Sequence, residues 1–276
     1  MKVYDKEVKD IIVKSKLPAA DYVVNPYVGC THKCLYCYAC FMQRFSKIPE
    51  DWGDYIVIKH FPDIKHKKIE NLEEKTVLLS SVTDPYQPIN TKYQNTAKVL
   101  EALSNTKAKV EILTKSKDVL QDLNILKRMN HITIGMSLST LDDCISRLVE
   151  PGASASSQRI STLKQLHDEG IQCYAFISPI IPYVTDVYAL IDQVSAYVDY
   201  IYFENLNLQG AYKKKMYQFI ETYFPNQHDQ FKELYQHKDK AKTFWDTLAF
   251  DISQYCEKKG IPYKLFFYHS EIKKQK

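Results

Sequence analysis

The 276-residue chain is 45% hydrophobic and 25% charged, a balance that builds a sizeable core and excludes a disordered chain or a fibre. Its 7 glycines are nowhere spaced as G-x-G-x-x-G or G-x-x-x-x-G-K-[ST], which excludes the usual glycine-rich nucleotide loops. A formal net charge of +4 is mildly basic and is not the footprint of a dedicated DNA-binding domain.

Residues 1–16 are charged throughout and lack the apolar centre of a signal peptide. No apolar run approaches the length of a membrane span. The expected location is therefore the cytoplasm, where thiols stay reduced and clustered cysteines read as metal ligands or redox groups.

From residue 22 onward, short β-rich runs alternate with helical patterns. The expected strands are 22–28, 76–80, 110–114, 132–138, 172–177 and 200–203, with 55–59 as an edge or crossover strand. Between them, three sets fall on helical faces: Tyr93, Ala97, Leu100 and Leu103; Val119, Leu123, Leu126 and Met129; Val187, Leu190, Ile191 and Val194. Asp118 and Asp186 stand at expected helix starts, and Gly170 follows an expected end. Six strand–helix units imply a parallel sheet with right-handed crossovers. The pattern fills about 200 residues, fewer than the roughly 250 of an eight-stranded barrel. The expected fold is α/β, a partial (β/α)6 TIM-type barrel over residues 22–210. Residues 1–21 form an N-terminal extension, and 211–276 a C-terminal helical extension packed on the barrel, ending in an apolar run at 263–268. Chemistry in such sheets gathers at the C-terminal ends of the strands.

Four of the 7 cysteines lie within eleven residues, at Cys30, Cys34, Cys37 and Cys40, directly after the first expected strand. Cys34 and Cys37 are three apart and face the same way on a helical turn, while Cys30 closes a third side from the loop. Three thiolates suit a cubane iron–sulfur cluster and leave one of its four irons without a protein ligand. A structural zinc site usually pairs two distant C-x-x-C knuckles, and no second knuckle exists here. A ferredoxin supplies four thiolates per cluster, with Cys40 as the only local fourth.

The C-x3-C-x2-C motif with an aromatic before the last cysteine resembles the signature of the radical S-adenosylmethionine (SAM) superfamily. Further pieces resemble its spore photoproduct lyase-like branch: NPYVGC at 25–30, YCY at 36–38, TDPYQP at 83–88, Glu150-Pro151 with Arg159, and PIIPYVTD at 179–186. Within that branch, the run from Asn25 to Phe45 followed by Trp52-Gly53 is similar to the radical SAM mobile pair protein B group, thought to act with a second radical SAM protein.

The resemblance implies a [4Fe-4S] cluster on Cys30, Cys34 and Cys37. SAM would chelate the open iron, and reductive cleavage would give a 5′-deoxyadenosyl radical for hydrogen abstraction. An electron donor of flavodoxin or ferredoxin type is implied as well. For SAM, Tyr36 is placed to contact adenine, Thr83 and Asp84 the ammonium, Lys115 the carboxylate, and Ser137 and Ser139 the ribose or carboxylate. Arg159 either joins that set or simply pairs with Glu150. Spore photoproduct lyases use a cysteine donor just before the Ser/Thr-Asp pair, where this chain has Val82. Among substitutes, Cys173 in the fifth expected strand is the candidate by location, although a free cysteine more often packs as a small hydrophobe.

The basic clusters at 65–68, 213–215, 238–242 and 273–276 leave nucleic acid open as a partner. Two competing readings remain at this level: a non-catalytic iron–sulfur or zinc module that binds a partner, and a DNA photolesion lyase.

Overall fold

The computed structural model describes residues 1–64, 66–210 and 212–267. Its strands are β1 (Lys2–Glu7), β2 (Ile12–Lys14), β3 (Tyr22–Val24), β4 (Tyr27–Val28), β5 (Tyr55–His60), β6 (Thr76–Leu79), β7 (Lys109–Thr114), β8 (Ile132–Leu138), β9 (Gln172–Ile180), β10 (Tyr200–Asn205) and β11 (Tyr263–Leu265). The crossovers carry α1 (His66–Glu70), α2 (Asn90–Tyr93), α3 (Asn95–Leu103), α4 (Leu123–Leu126), α5 (Asp143–Val149), α6 (Ser156–Asp168) and α7 (Val187–Val194). After β10 come α8 (Tyr212–Tyr223), α9 (Pro225–Gln236) and α10 (Lys238–Lys259).

The main sheet has the order β11-β10-β9-β8-β7-β6-β3-β2. From β3 to β11 all neighbours run parallel, and β2 adds an antiparallel edge. The protein is thus α/β with a mostly parallel sheet. Alternation splits each strand between two faces. Val110, Ile112, Ile134, Met136, Ala175, Ile177, Ile201 and Phe203 face the helices and are buried, against Val99 and Leu100 of α3, Leu163 and Leu166 of α6, and Leu190 and Ile191 of α7. Each such aliphatic side chain contributes about 1.5–3 kcal/mol when fully buried. The opposite face carries Glu111, Lys115, Ser137, Tyr174, Ser178, Tyr202 and Glu204, and it leads to the site.

Several expectations are corrected. The run 22–28 is two strands in two sheets: β3 joins the main sheet, whereas β4 pairs antiparallel with β5. Pro26 has no N–H for a continuous ladder, and the Asn25 side chain turns away to accept the amides of Ser81 (2.9 Å) and Val82 (3.2 Å). The run 55–59 is no edge. It is the middle of a three-stranded sheet, β1-β5-β4, with Tyr55, Ile56, Val57 and Ile58 buried. The C-terminal segment supplies more than helices, since β11 extends the main sheet beside β10. Tyr268 of the expected 263–268 run, Lys65 and the 273–276 cluster lie outside the described residues.

The helix-start assignments divide. Asp186 caps α7, accepting from Ala189 N at 3.0 Å. At the other start the cap is Ser116, whose hydroxyl accepts from Asp118 N, and a 3-10 turn over Lys117–Asp122 precedes α4. Gly170 takes φ +74 just past α6. Among the described residues, no helix is long and apolar enough to cross a membrane.

Candidate iron–sulfur and cofactor site

The cysteine loop leaves β4 at Gly29, where φ is +92 and a Cβ would lie 2.6 Å from the Tyr55 carbonyl oxygen, so only glycine fits. Two turns then grip the loop from either side. From the turn after β6, Gln87 Oε1 accepts the Thr31 amide (3.0 Å) and hydroxyl (3.2 Å), and the Thr83 hydroxyl donates to Gly29 O. Gln87 Nε2 in turn donates to the Thr83 hydroxyl at 2.9 Å. From the turn after α5, Gly152 N donates to His32 O at 3.0 Å, while Leu35 N donates to Val149 O at 2.8 Å. A Cβ on Gly152 would sit 2.2 Å from Thr31 O.

Within this clamp Cys37 N closes a tight turn onto Cys34 O at 3.2 Å. Cys30, Cys34 and Cys37 are half-buried free thiols. Burial pushes all three thiols up; Cys37 adds to the effect on Cys30 and Cys34, and Cys30 adds to it on Cys34. The buried Trp52 Nε1 has no acceptor of normal hydrogen-bond geometry, yet it lies against Cys37 and opposes the upward push there. Among the described residues, no three His, Cys, Asp or Glu side chains converge tightly enough for a single metal ion. A cubane takes its thiolates at separate irons. Three neighbouring thiols, with the Trp52 indole beside one of them, are a donor set that fits it.

Asp84 is buried at the C-terminal end of β6 and is committed to the protein. Its Oδ1 accepts Tyr86 N (2.9 Å) and the Thr114 hydroxyl (2.7 Å), and its Oδ2 accepts Lys115 N (2.8 Å). His32 Nδ1 lies 3.4 Å from the same Oδ2. Burial lowers the His32 pKa, with Asp84 pulling the other way. Asp84 thus ties the ends of β6 and β7 to the cysteine loop.

Beyond it, Lys115 Nζ donates to the Ser137 hydroxyl at 2.8 Å and stands 5.7 Å from the Tyr36 ring centroid. The Ser137 hydroxyl donates to Ser178 O at 3.0 Å. Arg159 is wholly buried. It donates to Ser154 O and Ser137 O (2.8 and 2.6 Å), to the Ser146 hydroxyl (2.8 Å) and to Glu150. The Tyr36 hydroxyl donates to the same carboxylate, with Ser139 Oγ 3.4 Å away. Burial pushes the Glu150 carboxyl up and the Arg159 guanidinium pulls it back. A guanidinium with this many partners is an internal brace.

The structure therefore gathers Tyr36, Thr83, Asp84, Lys115, Ser137, Ser139 and Arg159 around the cysteine loop at one end of the sheet. Of that set Thr83 and Lys115 are partly exposed, while Ser137 is buried with its hydroxyl held between Lys115 and Ser178 O. Cys173 is not brought there. It lies at the N-terminal end of β9, its thiol donating to Ile171 O at 3.2 Å among the helix-facing core, roughly 16 Å of strand from Ser178. Cys40 is half-buried, packed on the buried cluster that contains Tyr212 and Met216 of α8. Val82 is half-buried, held by Asn25 through its amide. His32, Gln87 and the Ser178–Glu204 hydrogen bond (2.5 Å) are additions that spacing did not single out. A polar residue inside C-T-H-K-C and the glutamine of TDPYQP were the available signals.

The Radical SAM superfamily model matches residues 24–191. The chain belongs to the radical SAM superfamily. An uncharacterised protein of Methanocaldococcus jannaschii is 36% identical over 223 residues, covering 80% of this chain and 83% of that protein. A radical SAM Nα-GlyT isomerase of Pseudomonas phage M6 is 23% identical over 184 residues, 63% of this chain and 37% of the isomerase. Among solved structures, a spore photoproduct lyase variant with bound AdoMet and dinucleoside spore photoproduct matches with a TM-score of 0.60 at 17% identity. That match covers 81% of this chain and 66% of the lyase, and it is a likeness of fold.

Proposed function

We propose that this radical SAM protein holds a [4Fe-4S] cluster through Cys30, Cys34 and Cys37, binds SAM at its open iron, and works on a substrate of its own. The observation that carries the reading is the clamp. Loop residues 29–35 are fixed over the strand ends by Gln87, Thr83, Val149 and Gly152, inside the segment that matches the superfamily. When bound, the cluster and SAM supply a 5′-deoxyadenosyl radical for hydrogen abstraction.

The chain's own groups hold and orient. Lys115 is a cation at the strand ends suited to a carboxylate, with Ser137 beside it. Tyr36 is fixed by Glu150 and can present its ring to the nucleoside. Asp84, His32, Glu150 and Arg159 keep the shape of that shelf. Thr83 and Ser139 complete its polar edge. The working core is 22–210, with 1–21 and 211–276 as extensions, in a cytoplasmic protein reduced by a flavodoxin- or ferredoxin-type donor. Its subgroup is the mobile pair protein B type of the lyase-like branch, with a second radical SAM protein as partner. Val82 stands where the lyases carry their cysteine donor, so the substrate differs from a thymine photoproduct repaired by that route.

The test is anaerobic reconstitution followed by SAM and dithionite. The expected result is close to four irons per chain and 5′-deoxyadenosine. A colourless protein that keeps zinc and leaves SAM intact sinks the reading.

A further inference from the structure

Directly after Cys37 the chain forms a 3-10 helix, Tyr38–Phe45. Phe41 and Phe45 on it are exposed, Phe45 at 68%. The Arg44 guanidinium lies between them, 4.7 Å from the Phe45 ring centroid and 5.4 Å from that of Phe41. The helix lies near the start of α8: Cys40 packs on the buried cluster that contains Tyr212 and Met216 and is close enough to Tyr212 for its charge to act there. There Lys213, Lys214 and Lys215 are all exposed. Lys215 is close enough to Cys40 and to Asp54 for its charge to act on both.

Segments 38–49 and 205–220 together contain five basic residues, Arg44, Lys47, Lys213, Lys214 and Lys215, and no acidic one. None of the five pairs with a carboxylate among the described residues. Of the nearby acids, Glu50 and Asp54 are paired with Lys2 and Lys33 and Glu204 accepts from the Ser178 hydroxyl, while Asp51 and Glu221 stand at the margins of the two segments. Two exposed aromatics and an arginine within a lysine rim have the composition of a protein-binding patch.

We propose that this face, Phe41, Arg44 and Phe45 with the lysines of α8, docks an acidic one-electron carrier protein beside the cysteine loop. The inference rests on the cluster reading above. Phe41 and Phe45 meet the carrier's apolar rim around its redox group, and the five cations meet its carboxylates. The face begins just over one turn past Cys37, at Phe41, and runs along the same 3-10 helix to Phe45; a carrier seated there would be oxidised by one electron as a cluster held by the cysteines is reduced by one. Five cations on two short segments do not make the long basic track along which a nucleic-acid strand runs.

The experiment uses the reconstituted full chain and the triple reversal Arg44→Glu/Lys213→Glu/Lys214→Glu. Binding to an acidic flavodoxin is measured by calorimetry at low and high salt, and SAM cleavage is driven either by that flavodoxin or by dithionite. The expected result is binding weakened at least about tenfold in the reversal and weakened by salt in the wild type. Flavodoxin-driven cleavage falls in step, while dithionite-driven cleavage stays within about twofold of wild type. If the reversal loses iron, the neutral pair Arg44→Ala/Lys214→Ala is read in the same way. Equal flavodoxin binding by wild type and variant overturns the proposal. So does loss of single-stranded oligonucleotide binding in the variant with flavodoxin binding unchanged, which makes the face a nucleic-acid site. A wild type that binds flavodoxin but cleaves no SAM even with dithionite refutes the enzymatic reading and leaves the docking face standing.

Discussion

Gln87 holds Thr31 twice. Its Oε1 accepts both the amide (3.0 Å) and the hydroxyl (3.2 Å), so one fully buried side chain joins the turn after β6 to the cysteine loop. Removing that oxygen leaves two donors on the loop without their acceptor, at a cost of about 1–3 kcal/mol. Gln87→Ala is expected to reconstitute with less iron and to lower the urea midpoint of the metal-free protein. Gln87→Glu keeps an acceptor for Thr31 and is expected to retain more iron than the alanine variant. Iron and sulfide assays on the pair decide it; wild-type iron in Gln87→Ala removes Gln87 from any role in holding the loop.

Gly152 and Gly170 make a matched comparison. A methyl on Gly152 meets backbone, Thr31 O at 2.2 Å, whereas one on Gly170 meets nothing within 4 Å. Gly170 is strained by its φ of +74 alone, a cost of order 1 kcal/mol. Gly152→Ala must push the cysteine loop away from α5, so cluster incorporation is expected to collapse. Gly170→Ala is expected to load normally with only a small drop in thermal midpoint.

Four of the seven cysteines should separate cleanly by substitution. Alanine at Cys30, Cys34 or Cys37 is expected to abolish both the brown colour and SAM cleavage. Cys173→Ala is expected to keep both and to lose roughly 1–2 kcal/mol of stability, because its thiol fills core space between β9 and the helices. Loss of SAM cleavage in a correctly loaded Cys173→Ala protein would contradict its placement at the far end of the strand.

What was legible in the sequence was what local pattern encodes. Apolar runs at 110–114 and 132–138 became β7 and β8, and the spacing of Cys30, Cys34 and Cys37 lies within one loop. What was not legible depends on partners distant in the chain. The split of 22–28 follows from β4 pairing with β5, some thirty residues on, and only Pro26 hinted at it. Sequence places Asp84 toward an incoming ammonium but cannot show Thr114 and Lys115, thirty and thirty-one positions away, donating to its two oxygens. Gln87 reached Thr31 across 56 positions, beyond any periodicity. Sequence places Cys173 in the fifth strand, and the direction of that strand puts its thiol at the N-terminal end, away from the cysteine loop.

Glu150 and Arg159 form a fully buried ion pair. Breaking such a pair from one side leaves an uncompensated charge, which costs about 3–5 kcal/mol. Glu150→Ala also frees the Tyr36 hydroxyl, so it is expected to fold poorly and to bind SAM weakly. Glu150→Gln keeps an acceptor for Tyr36 and is expected to be the milder of the two. Chemical unfolding of both variants, alongside SAM titration of the loaded proteins, separates the loss of fold from the loss of binding.

Lys59 gives the fold a pH dependence of known sign. Its ammonium donates to Asn25 O at 2.8 Å, and burial, with the like charge of Lys6, lowers its pKa from 10.5 to about 8. Above pH 8 the folded chain has released this proton while the unfolded chain still binds it. Stability from this group therefore rises with pH between 8 and 10.5, by about 1.4 kcal/mol per unit. Below pH 8 both states are charged and the folded state carries the full penalty. Lys59→Met removes the titration. Comparing urea unfolding of the two proteins at pH 7.5 and 9.5, the difference should move in favour of wild type by on the order of 2 kcal/mol. A difference that stays constant, or moves toward the variant, would show that the Lys59 ammonium is as well solvated in the folded chain as in the unfolded one.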